Sequence, residues 1–94
     1  MAFGLIDVVE SGDYKGGEIK LKGLTNKPTL IKKGFLGKTV IKLDKSTIKT
    51  YEVVSTQTVV GTTQYRSKID FKDGKSCIVH INYLVHDYIM KALG

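Results

Sequence analysis

The strongest constraint on this chain's fold is a two-residue hydropathy period that holds from the amino terminus to about residue 81. Side chains along a strand point alternately to opposite faces, so such a period marks a ribbon with one dry and one wet side. Residues 18–24 alternate cleanly, with Ile19 and Leu21 on one face and Lys20 and Lys22 on the other. Further segments rich in β-branched residues cover 3–9, 29–33, 39–43, 47–55, 56–71 and 77–81, the 56–71 segment broken at Gly61. Between them stand turn formers: Ser11-Gly12-Asp13, Gly16-Gly17, Thr25-Asn26-Lys27-Pro28, Gly34, Asp44-Lys45-Ser46 and Asp73-Gly74.

The Asp73-Gly74 hairpin has a definable register. A two-residue loop sets Lys72 against Lys75, and like charges directly opposite are unfavourable. A three-residue loop, Lys72-Asp73-Gly74 with Gly74 left-handed, sets Ile69 against Cys77, Ser67 against Val79 and Tyr65 against Ile81. That register gathers apolar groups on one side. It predicts an inward Cys77 and an outward His80.

The period changes only in the tail. Val85, Ile89 and Leu93 recur every four residues, with Leu84, Tyr88 and Ala92 beside them and His86, Asp87 and Lys91 opposite. Asn82 suits an N-cap and Gly94 a stop. A helix over 83–93 is too short to be stable alone and must pack on the sheet. The expected architecture is mainly β, a barrel or strongly bent antiparallel sheet of about seven strands over 3–81, capped by the carboxy-terminal helix. Residues 1–94 read as one domain.

The segments KTVIKLDKSTIKTYEVV and KIDFKDGKSCIVHIN, followed by a terminal helix, resemble the small bacterial proteins with pleckstrin-homology-like domains. The resemblance implies a barrel-like fold and a binding or assembly module. It points to a bacterial or phage cytoplasm and to no particular ligand.

Charge is concentrated in the middle of the chain. Of a formal net charge of +6, residues 1–26 contribute −1, residues 27–50 contribute +6 and residues 51–94 contribute +1. The basic stretch offers Lys32, Lys33, Lys38, Lys42 and Lys49 as candidate anion contacts, for acidic lipid head groups or nucleic acid. Phe35 and Leu36 lie among them, either as an apolar tip that enters a membrane or a partner's pocket, or folded back onto the barrel. The plainer account makes the lysines the solvated side of a sheet and a guard against edge pairing. Arginine is the usual bidentate phosphate ligand, and the chain has only Arg66. Pleckstrin-homology-like domains that bind inositol phosphates use an early strand pair and its loop. The matching region, Tyr14-Lys15-Gly16-Gly17, carries a single lysine beside Asp13 and Glu18.

Other chemistries fit poorly. Gly34-Phe35-Leu36-Gly37-Lys38-Thr39 has two residues between its glycines where a phosphate-binding loop needs four, and strand residues follow it instead of a helix. As a Gly-x-x-Gly nucleic-acid clamp it lacks flanking helices. Cys77 and His80 stand three apart on a strand, hence on opposite faces. Two histidines and one cysteine make no zinc set. No catalytic residue, metal or cofactor is expected. The lone cysteine and the absence of a signal-like start suit the cytoplasm, and no apolar run reaches membrane-spanning length. A protein partner or self-association through exposed strand edges is the expected function.

Overall fold

The structure, a computed structural model, describes residues 6–94. Seven antiparallel strands form one sheet: β1 (Val8–Gly12), β2 (Glu18–Lys22), β3 (Lys27–Lys33), β4 (Lys38–Lys42), β5 (Ile48–Val59), β6 (Thr62–Phe71) and β7 (Ser76–Asn82). One helix follows, α1 (Tyr83–Leu93). The strand order is β4-β3-β2-β1-β7-β6-β5, so the sheet is not closed and β4 and β5 are its two edges. Both ends of the sheet nevertheless feed one core. Leu30 and Ile41 from β3 and β4 join the same apolar cluster as Ile48, Tyr51, Ile69 and Phe71 from β5 and β6. The sheet is therefore a strongly bent one capped by a helix, and the alternation of its strands decides which side is dry.

The β6–β7 hairpin has the register expected from charge avoidance. Ile69 pairs with Cys77, Ser67 with Val79 and Tyr65 with Ile81, and Gly74 has φ +94°. His80 faces the outer side as expected, yet it is only 7% exposed. It lies between Val8 and Arg66 in neighbouring strands, and its Nε2 meets Gln64 Oε1 at 3.0 Å. Across β7, Arg66 Nε donates to both oxygens of Glu10 at 3.1 and 2.8 Å.

The first strand differs from expectation. Phe3 and Leu5 lie outside the described residues. β1 continues through Ser11 and Gly12, which the sequence assigns to a turn, because a bulge at Glu10 resets the pairing to Ser11–Ile78 and Gly12–Cys77. Gly12 is required there. Its φ is +85°, and a Cβ would come within 2.7 Å of the Ser76 carbonyl oxygen.

The helix is capped as its sequence suggests. Asn82 Oδ1 accepts from Val85 N at 3.0 Å, and Asp7 holds Asn82 through both its backbone and its side-chain amide. Val85 and Ile89 are buried. Two positions depart from the expected faces, Leu84 being exposed and His86 half-buried against the sheet, while Tyr88 and Ala92 are half-buried and Asp87 and Lys91 exposed as expected. The reason is tertiary: Tyr51 offers His86 a hydroxyl and Tyr65 a ring to stack on.

Candidate functional site

Two surfaces and one internal cluster hold the candidate chemistry. The first surface is the outer face of β2-β3-β4. Pairing sets Thr29 between Lys20 and Lys42, Lys22 beside Lys27, and Lys33 beside Lys38. Alternation therefore puts six lysines on one face, with Glu18 as its one acid. Among the described residues, only Lys20 of the six pairs with a carboxylate, Glu18 at 3.5 Å. Thr29 is buried although it faces outward, paired between Lys20 of β2 and Lys42 of β4.

The sequence candidates divide on this frame. Lys33, Lys38 and Lys42 share the basic face. Lys32 alternates to the opposite side, half-buried and directed toward Gly16. Lys49 is the bulged residue near the start of β5, at the other end of the strand order. Phe35 and Leu36 do not fold back: they are 102% and 94% exposed at the tip of the β3–β4 hairpin. Lys20, Lys22 and Lys27 were the missed members of the face. The alternation of 18–24 already separated Lys20 and Lys22 from the apolar side, but only the meander shows that β2 and β4 flank β3.

Where this face meets the helix, a cleft of about 500 Å³ is lined by Asn26, Lys27, Lys42, Leu43, Tyr88 and Lys91, among others. Asn26 Nδ2 donates to Tyr88 Oη at 3.0 Å, tying the β2–β3 turn to the helix. Asp44 also borders the cleft. Its carboxyl is held below the usual range, chiefly by the Ser46 hydroxyl, with help from the charges of Lys42 and Lys27.

The second surface is the free edge of β5. Nine of its twelve residues are exposed, and Val53 and Val54 are among the exposed large apolar side chains. From Val53 to Tyr65 the chain carries no charged residue. The β4 edge is the contrast: five residues long, with a lysine at each end. Lysine and shortness are standard protections of a free edge. β5 has a bulge at Val54, and beyond it the regular run 55–59 has neither charge nor proline.

The internal cluster joins sheet and helix. Ser67 Oγ donates to Tyr51 Oη at 3.0 Å, and Tyr51 Oη lies 2.7 Å from His86 Nδ1. The Tyr65 ring stacks on His86 with centroids 4.1 Å apart. Burial pushes the Tyr51 hydroxyl up to about 12 and lowers His86 below its ordinary value. A serine, a tyrosine and a histidine in a line resemble a proton relay, with Ser67 at the inner end 0% exposed. The cluster pins the helix to the sheet. Cys77, also in the core, has its thiol pushed up to about 12 by burial, the state of an inert cysteine.

Among the described residues no group of three or more His, Cys, Asp or Glu is placed to hold a metal ion, and no helix is long and apolar enough to cross a membrane. Comparison with family models, curated proteins and solved structures finds no match to this chain.

Proposed function

We propose that this chain is a non-enzymatic assembly module that associates by adding a strand to the free edge of β5, the added strand coming from a second copy. The observation that carries the proposal is the asymmetry of the two edges: β4 is short and ends in lysines, whereas β5 is long, exposed and uncharged beyond Val53. An unpaired edge presents a row of backbone donors and acceptors that another extended segment satisfies. Two copies of β5 related by a twofold axis at Gln57 set Thr56 against Thr58 and Ser55 against Val59, so no charges oppose each other. The resemblance to pleckstrin-homology-like domains and the order of seven strands followed by a helix support the same class of module.

A single strand pair lies at the small end of specific interfaces, so association is weak and concentration-dependent. Sedimentation velocity over a concentration series tests it. Wild type should shift toward dimer as concentration rises. Gln57→Glu, an exposed change that sets two carboxylates opposite each other, should remain monomeric. A wild-type protein that stays monomeric throughout overturns the proposal.

A further inference from the structure

Independently of the β5 edge, we propose that the β3–β4 hairpin is a docking element for an anionic lipid surface, with Phe35 and Leu36 entering the bilayer interface and lysines forming a collar around them. Four features of the hairpin argue for it. Phe35 and Leu36 are adjacent, large, apolar and almost wholly exposed, at the end of a two-stranded ribbon that holds them away from the core. Gly34 N donates to the Gly37 carbonyl at 2.6 Å, so the four-residue tip is a closed turn with a defined shape. Immediately behind it, Lys33 and Lys38 stand directly opposite each other. Such a pairing is unfavourable in the free protein and is relieved beside negative charge. Lys32, next in the strand, has its ammonium group beside Gly16 in the β1–β2 loop.

The charge continues away from the tip. Lys20 and Lys42 flank Thr29, and Lys22 faces Lys27, so the positive strip runs the length of β2-β3-β4. Apolar residues that enter the acyl boundary, backed by basic residues at head-group depth, are how a peripheral protein holds an acidic membrane. Nucleic acid is the lesser fit. Single-strand binders place aromatic rings along the positive groove for bases to stack on, and the strip's own residues on β2, β3 and β4 include none. Phe35 stands beyond it at the tip.

Co-sedimentation with vesicles tests the proposal, at protein concentrations where the chain is monomeric. Phosphatidylcholine vesicles containing phosphatidylserine should carry the protein down, and pure phosphatidylcholine vesicles should not. Phe35→Ser with Leu36→Ser should abolish binding while leaving the urea midpoint and circular dichroism unchanged, since those side chains touch little of the protein. Lys33→Gln and Lys38→Gln should each weaken binding about fivefold, and added salt should weaken it further. Equal binding to both vesicle types overturns the proposal, as does no binding at low salt. Full binding by the serine double variant also overturns it. So does tighter binding to single-stranded DNA than to acidic vesicles when the lysine changes affect it and the tip changes do not.

Discussion

The Tyr51 hydroxyl and His86 Nδ1 meet at 2.7 Å across the boundary between sheet and helix. Ser67 donates to the same hydroxyl, which leaves the tyrosine proton to be given to Nδ1. That arrangement needs a neutral imidazole protonated at Nε2. Tyr51→Phe keeps the ring and removes the bridge, leaving a half-buried ring nitrogen and a buried serine hydroxyl without their partner. The variant should lose about 1–3 kcal/mol, read as a lower urea midpoint with an unchanged slope.

Acid should act on the same contact. Burial lowers the His86 pKa in the folded protein, and the nearby charge of Asp87 opposes the shift only in part. The unfolded chain therefore takes up the proton more readily than the folded one. The histidine's contribution is fully present above the ordinary histidine pKa of about 6.5. It is lost as the pH falls from there through the lower folded value. Urea midpoints measured from pH 8 to pH 5 should fall in that window, and His86→Gln should flatten that part of the decline.

Cys77 offers a probe of the core without any mutation. Its thiol is buried and its thiolate disfavoured. Alkylation by iodoacetamide at pH 8 should be negligible for the native protein and complete in concentrated urea. Rapid native labelling would mean that β7 opens readily.

Val60 carries a cost that substitution can recover. It is the first of two turn residues between β5 and β6, with φ +50° beside Gly61 at +76°. A β-branched residue is out of place at a left-handed position, where asparagine is preferred. Its side chain is 95% exposed, so little packing is lost by changing it. Val60→Asn should stabilise the protein by about 1 kcal/mol, measured by urea denaturation.

What could be read from sequence followed the reach of each signal. The β6–β7 register was legible because charge repulsion and turn geometry act within one hairpin, between Asp70 and Cys77. The helix and its Asn82 cap were legible for the same reason. The place of His86 was not, since its partners Tyr51 and Tyr65 lie 35 and 21 positions away and helical periodicity cannot see them. Nor could the lysine-rich segment reveal which lysines share a face. Lys32 and Lys33 are neighbours in sequence and point apart, whereas Lys22 and Lys27 meet across a turn. Lysines stood out along the chain, while the β5 edge is marked by a lack of charge, which becomes meaningful only once β5 is seen to have no strand beside it on one side among the described residues.

The bond between the first and last strands also fixes how the protein must assemble itself. β1 meets β2 at one ladder position, Val8 with Glu18, with Val9 bonded to Gly16 and Gly17 of the intervening loop, and its longer ladder is with β7, where Val8 lies opposite His80. The β2-β3-β4 and β5-β6-β7 meanders close through short loops and can form early. The β1–β7 ladder must wait for a loop of about seventy residues to close, the kind of non-local step that slows folding. During synthesis, Val9 therefore leaves the ribosome long before its β7 partner Val79 exists, and its burial is completed only when nearly all the rest has been made.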